Sequence, residues 1–529
     1  MTTRVERGPA PLAGFGTVLR LVLRRDRALL VTWLIAMSAL VIGMVTSVRI
    51  GYPTPEAMSA FAASATANPS ELALRGPIYQ ASVGGLLAWT LASSGSLVNG
   101  VVGILLAVRN TRTEEHSGRS EMLRSVPVGR LTLPAAAVAA PGLTALTMGL
   151  VAFLGLFAQG LPAAGSATLA GILAGNAILF VAVGTLAGQL TESPGPARAL
   201  GFIVLGVVFA AAAVGDLAGS PVVWVSPFGW ARHAAAFAYD RGWVLLLPVA
   251  ATVVVLALVV LGAWRRDLGG ALVRPRPAPA QAARWFASPL AVAWRRQRGA
   301  LAGWAVGLGA LGLLMGSVTG SLSAQLDTPT FRQFAQRIAG DLSVGRAFFL
   351  FILYVLAQVA TAAALAAVLQ LRTDETSGLA ETLLATPVGR PCWLVAQMVV
   401  AVAVGGGVIA GIGFGAALSS GDWVVFVLGL GYLPAVVLMV GLAAALVGWV
   451  PRAAVSASWA VLALLLFLDL LGEFGLVPAT TMNVSPFALL FNGLVGTGSW
   501  PVAALGLAAA GVVLGWLGAV GIRRRDLRP

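Results

Sequence analysis

No lysine occurs anywhere in the 529 residues; all 34 basic side chains are arginines. A nucleotide-binding P-loop needs a lysine to reach the phosphates, so the chain carries no Walker-type ATPase of its own. Its one cysteine, Cys392, excludes an internal disulfide. His116 and His233 stand far apart without a neighbouring cysteine, and no metal site is expected. Charge is scarce too: 10% of residues are charged, against about 25% in soluble domains. With 58% hydrophobic residues, a soluble globule is excluded and an integral membrane protein remains.

What is present are uncharged apolar runs long enough to cross a hydrocarbon core of about 30 Å. They are continuous and rich in Leu, Val, Ala and Gly, not short and alternating, which argues for helices and against a β-barrel. Phe15 to Arg27 places Phe15, Val18, Leu19 and Val22 on one helical face and arginines on another, the pattern of a surface helix. Spans are expected at 28–48, 84–108, 131–158, 165–190, 199–215 and 242–264, and again at 299–320, 347–371, 391–418, 423–450, 453–468 and 498–522. The first is too long for a signal-peptide core and has no evident cleavage site, so it is expected to be retained. Trp285 to Arg298 reads as a second surface segment. The expected fold is an all-α membrane protein of about 12 transmembrane helices in two parallel six-helix repeats. Its halves are 1–264 and 285–529, joined by an Arg- and Pro-rich cytoplasmic linker at 265–284.

Arginine placement sets the orientation. With both termini inside, 27 of the 34 arginines fall on the cytoplasmic side and seven outside, while acidic residues divide 11 and nine. The net charge of +14 follows the positive-inside rule and gives no reason to expect nucleic acid.

The chain is organised around a polar stretch that occurs twice on that inner side. Arg112 to Arg130 (RTEEHSGRSEMLRSVPVGR) and Arg372 to Arg390 (RTDETSGLAETLLATPVGR) are offset by 260 residues and identical at 11 of 19 positions. VSPF at 225–228 and 484–487, and RRDL at 265–268 and 524–527, repeat at an offset of 259. An even number of spans per half relates the copies by an axis along the membrane normal. Each cassette leaves the second span, passes two acids, turns at Ser117-Gly118 or Ser377-Gly378, and forms a short helix ended by Pro127 or Pro387. Arg119, Met122 and Leu123, or Leu379, Thr382 and Leu383, share a face there. An apolar knob in a polar loop suits a groove on a soluble partner.

The pattern E-x-x-G-x-x-E-x-L-L-x-x-P-V, read at Glu375, Gly378, Glu381, Leu383, Leu384, Pro387 and Val388, resembles the loop after the second span of type-2 ABC exporter permeases. Glu115, Gly118, Glu121, Leu123, Pro127 and Val128 repeat it, with Arg124 where the second copy has leucine. The resemblance covers the whole chain, and its double length is similar to actinobacterial exporters of polyketide antibiotics and other drugs. It implies that these segments are coupling helices docking into two copies of a separate cytoplasmic ABC ATPase, which binds ATP and Mg. Coupling candidates are therefore Glu114, Glu115, Ser117, Gly118, Arg119, Glu121, Met122 and Leu123, and Asp374, Glu375, Ser377, Gly378, Glu381, Leu383 and Leu384. No catalytic residue, metal or cofactor is expected in the chain itself. The resemblance places it in the plasma membrane of a bacterium, among lipid, handling small-molecule cargo. It also implies short reentrant helices capping the outer side, with Pro227, Phe228, Pro486 and Phe487 as gate candidates; plain loops with Trp224, Phe228 and Trp230 as interfacial anchors are the alternative.

Within the spans, Trp89, Ser93 and Ser96, and Tyr354, Gln358 and Thr361, form polar stripes that are candidates to line a central cleft; ordinary packing through small and hydroxyl residues would also place them there. A proton-coupled carrier with two parallel halves is the competing function, and it needs an ionisable residue inside a span. On this map every charge lies outside the spans or at their ends, with Asp216, Asp422, Asp469 and Glu473 closest to the boundaries. A membrane enzyme would need a gathered Ser, Asp and His or an acid pair, and none is visible.

Overall fold

The computed structural model describes residues 10–67, 69–116, 118, 128–265, 270–272, 288–325, 344–473, 479–496 and 498–525, and every regular element among them is helical. The chain divides into two compact units, Met1–Ala278 and Pro279–Pro529.

In the first unit a surface helix α1 (Phe15–Arg25) leads into α2 (Arg27–Gly51), followed by two short helices, α3 (Pro55–Thr66) and α4 (Pro69–Arg75). Then come α5 (Val83–Val108), α6 (Thr132–Ala158), α7 (Ala163–Leu190), α8 (Pro194–Ala218), the short α9 (Pro227–His233) and α10 (Leu246–Arg265). α7 lies in the middle, buried on nearly every side, whereas α8 and α10 turn leucine, valine and phenylalanine outward as a lipid-facing helix must.

The second unit opens with one 37-residue helix, α11 (Pro289–Gln325). It continues through α12 (Val344–Val368), the cassette helices α13 (Gln370–Thr376) and α14 (Leu379–Leu384), α15 (Arg390–Ser420), α16 (Val424–Leu430) and α17 (Leu433–Trp449). α18 (Ala454–Glu473), the short α19 (Pro486–Leu494) and α20 (Trp500–Arg524) complete it. α17 and α20 meet glycine on glycine, Gly441 against Gly511 and Gly448 against Gly518, so their backbones touch. Lipid tails are as apolar as leucine, and helices in lipid gain from such close approach.

Among the described residues ten helices are long and apolar enough to cross a membrane, with Ala454–Asp469 a shorter apolar one. Three expectations change. The surface segment and first span of the second half form one helix, not two. In the first half Asp26, pulled aside by Arg25 and Arg109, bends the chain between α1 and α2; its place in the sequence RRDR is taken in RRQR by Gln297, which reaches the Ala367 carbonyl instead. The expected span 423–450 stands as one crossing, Val424–Trp449, but its helix is interrupted at Gly431-Tyr432, where Pro434 cannot donate to the helix and the buried Tyr432 hydroxyl turns to the Leu350 carbonyl. Finally, α8 and α18 outrun their expected ends and take Asp216 and Asp469 into the helices. Both carboxyls are buried, because each finds hydrogen-bond donors in the interior. Both stand near helix ends, as expected, Asp216 two residues before the end of α8 and Asp469 on the last residue of the apolar stretch Ala454–Asp469. Of the linker, Gly270 and Leu272 are held against the first unit by Arg112 and by the Gln189 carbonyl, and 273–284 lie outside the described residues.

Candidate functional site

Both cassettes are built on the same three local devices. The first is an arginine three residues before a glutamate: Arg112 meets Glu115 at 2.9 Å, and Arg372 pairs with Glu375. One turn of helix brings these positions together. The second is a glycine in the left-handed region, Gly118 at φ 74° and Gly378 at φ 77°, whose N–H closes the turn onto the carbonyl of Glu115 or Glu375. Side-chain-bearing residues avoid this backbone, so the repeated glycine is structurally required. The third is an arginine from the preceding surface helix that clasps the first acid. Arg25 of α1 reaches Glu114 at 2.9 Å; Arg296 of α11 grips Asp374 with two bonds of 2.6 and 2.8 Å.

Around these devices the copies differ. Arg112 is fully buried and also donates to the carbonyls of Gly188 at 2.7 Å and Gly270 at 3.0 Å. In the second copy Arg525, just past α20, pairs with Glu375, and Arg390 donates to the Arg525 carbonyl at 2.8 Å. Every acid that opens a cassette is thus spent on holding it: Asp374 and Glu375 are buried, and Glu114 and Glu115 largely so. Beyond Gly378 the face turns outward. Leu379, Glu381 and Thr382 are exposed, Leu383 and Leu384 rest half-buried against the core, and Ala380 is fully inside. The face expected from Leu379, Thr382 and Leu383 therefore loses Leu383 to packing. A groove of about 360 Å³ runs beside it, lined by Val292, Arg296, Leu383, Pro387 and Trp393 among others. Ser117, Arg119, Glu121, Met122 and Leu123 lie outside the described residues.

The Asp26 carboxyl at the α1–α2 junction is buried, which alone would raise it, yet hydrogen bonds and charge from Arg25 and then Arg109 hold it below its ordinary value of 3.8. A depressed acid lends stability that is complete above its unfolded value and lost as pH falls through the folded one. The protection of the amides of residues 15–25 against hydrogen exchange, taken relative to the unfolded peptide at the same pH, is therefore expected to be high at neutral pH and to fall below about pH 4. In an Asp26→Asn variant protection should be low at both pH values. The corresponding stretch of α11, where Gln297 replaces the acid, should show no such acid step.

A family profile described as the C-terminal domain of the multidrug efflux system permease Rv1217c matches residues 286–523. The multidrug efflux system permease protein Rv1217c of Mycobacterium tuberculosis is 36% identical over 538 residues, covering 99% of this chain and 97% of the relative. The chain belongs to this multidrug efflux permease family.

The polar stripes of the permease lie inside its units. Trp89 donates to the Gly76 carbonyl at 2.8 Å, Ser93 accepts from Arg232 at 2.7 Å, and Ser96 accepts from Asn176 at 3.1 Å. Thr361 bonds back to its own helix at Ala357, while Tyr354 and Gln358 both approach Asp469. Five of the six side chains are less than 5% exposed and Trp89 is 6% exposed, so they work as internal ties in this conformation.

At the opposite end from the cassettes, Ser226 and Ser485 cap α9 and α19, whose first turns begin at Pro227 and Pro486. Phe228 and Phe487 are fully buried, Phe228 between Phe180 and Phe209 with ring centres 5.9 and 5.1 Å away. With Trp230 also inside, Phe228 and Trp230 are packing residues and not interfacial anchors. No partner for Asp216 was legible in the sequence, and the structure supplies two: Arg232 at 2.6 Å and His233 at 2.8 Å, with the Tyr79 hydroxyl 2.6 Å from the other ring nitrogen of His233. Burial pushes the Tyr79 phenol up to about 12, so it remains a hydroxyl. Sequence reasoning also missed Asp26, Arg25 and Arg296. The signal was there, since RRDR and RRQR precede the two first spans at one spacing.

Proposed function

We propose that this permease is the membrane subunit of an ATP-driven exporter of lipophilic or amphipathic small molecules. Two copies of a separate cytoplasmic ABC ATPase, binding ATP and Mg, would drive it. The observation that carries this reading is the cassette. A short helix is held at its base by three ion-paired arginines, Arg296, Arg372 and Arg525, and presents Leu379, Glu381 and Thr382 beside an open groove. Such a tip is rigid where it joins the bundle and bare where a partner would press. α12 runs into the cassette almost without interruption, and Arg296 ties it to α11, so a push at the tip moves two spans together. The absence of lysine supports an engine made elsewhere, and the name of the mycobacterial relative supports efflux of drugs. In this reading the arginine distribution puts both cassettes and both termini in the cytoplasm of a bacterium, with the chain in its plasma membrane.

Purification with the ABC ATPase encoded beside the gene tests this. The complex is expected to contain two ATPase subunits per permease, and Glu381→Arg to weaken it while membrane insertion is unchanged. A permease that never binds any such ATPase would remove the reading. A second reading, proton-coupled transport, is favoured by one observation, the buried Asp469 within α18; it requires transport without ATP.

A further inference from the structure

The second unit holds an acid that the first unit's design leaves unanswered. Asp469 is 2% exposed, and its Oδ2 accepts hydrogen bonds from Gln358 at 3.0 Å and from Ser485 at 2.9 Å. The Tyr354 hydroxyl lies alongside the same carboxyl. All three partners are neutral, and no cation pairs with it among the described residues. Gln358 is 4% exposed, and its Oε1 takes no hydrogen bond among the described residues. Two oxygen acceptors thus meet in a dry interior without a positive charge. The place is deep, since Gln358 is the tenth residue of the apolar stretch Phe349–Thr376, about 14 Å along the helix.

The repeat gives the comparison. In the first unit Arg232 stands five residues after Pro227, bonds Ser93 on α5 and pairs with Asp216 at 2.6 Å. Five residues after Pro486 stands Phe491, whose ring lies 5.4 Å from that of Tyr354, which is within one residue of Ser93 in the repeat register. One unit therefore carries its own guanidinium at this position; the other carries a ring there, beside a carboxyl, Asp469, that lies six residues off the repeat register of Asp216. An unpaired acid in a membrane span is costly and marks a ligand or ion path.

We propose that Asp469, Gln358 and Ser485 form a binding site for the protonated amino group of a cationic amphipathic cargo, with Phe491 and Tyr354 packing against the cargo's apolar part. An ammonium group brings three N–H donors, enough for the carboxylate, the Gln358 carbonyl and one more acceptor. This rests on the reading that the permease handles amphipathic molecules, but it does not need the ATPase.

The test is binding of a dansyl-labelled long-chain primary amine, and of its neutral N-acetyl derivative, to the full chain in lipid nanodiscs at pH 7, with empty discs subtracted. The amine is expected to bind about tenfold or more tighter than the amide, the worth of one charged hydrogen bond. Asp469→Asn should erase that preference and leave amide binding in place. Phe491→Arg, which supplies an internal cation as Arg232 does, should erase it as well and guards against a misfolded Asp469→Asn. No preference in the wild type, or a preference that survives both variants, overturns the proposal. Either result leaves ATP coupling to be judged by its own experiment.

Discussion

Gly378→Pro is expected to abolish coupled transport while the permease still inserts and folds. Proline fixes φ near −65°, whereas Gly378 sits at 77°, and proline also removes the N–H that closes the turn onto Glu375. The two effects together cost about 3 kcal/mol, roughly a hundredfold, against the conformation that presents Leu379 and Glu381. No neighbouring atom lies within 4 Å of a Cβ added at Gly378, so the penalty is conformational and confined to the cassette. Gly118→Pro should act alike, since Gly118 shares the backbone at φ 74° and the same open surroundings. Cargo-stimulated ATP hydrolysis by the assembled complex is the readout. Normal stimulation in both variants would deny the turn any part in coupling.

The largest loss of stability is expected from Arg232→Ala. The side chains of Arg232 and Asp216 are 0% and 2% exposed, and the arginine joins four elements: Asp216 on α8, Ser93 on α5, the Leu74 carbonyl on α4 and its own α9. Removing one member of a buried pair strands the other, typically at about 3–5 kcal/mol. That is a large share of the reserve of a folded domain, about 5–15 kcal/mol. Thermal unfolding in detergent should show a much lower midpoint. The double change Arg232→Met with Asp216→Leu should recover most of it, because the carboxyl is then no longer left alone. Arg346→Ala, which breaks an exposed pair with Asp422, should move the midpoint little.

These expectations depend on particulars that were unequally visible in the sequence. The cassettes were legible because a polar segment repeated at 11 of 19 positions has few reasons to persist except a shared backbone, and the two positive-φ glycines bear that geometry. The all-helical bundle was legible from apolar runs alone. Helix ends were not: hydropathy stops a span at the first charge, so Asp469 was left one residue outside a segment that continues to Glu473. Its partners Gln358 and Ser485 lie 111 and 16 residues away, and no local pattern announces such a meeting. The same holds for the acids of the cassettes. Glu114, Glu115, Asp374 and Glu375 read as a charged docking surface, yet arginines turn them inward, Arg112 and Arg372 from one turn before and Arg25, Arg296 and Arg525 from distant helices, and the exposed face is left to residues such as Ser377, Leu379, Glu381 and Thr382. Sequence spacing ordered the cassette correctly along the chain but could not say which of its residues face the protein.

Transport in sealed vesicles distinguishes the engines most directly. The permease would be reconstituted with and without its ATPase and loaded with a fluorescent amphipathic amine, and cargo movement followed on adding ATP or on imposing a proton gradient. Coupling to a separate ATPase predicts movement only when ATPase and ATP are both present, and none on the proton gradient alone. Movement by the permease alone down a proton gradient would contradict it.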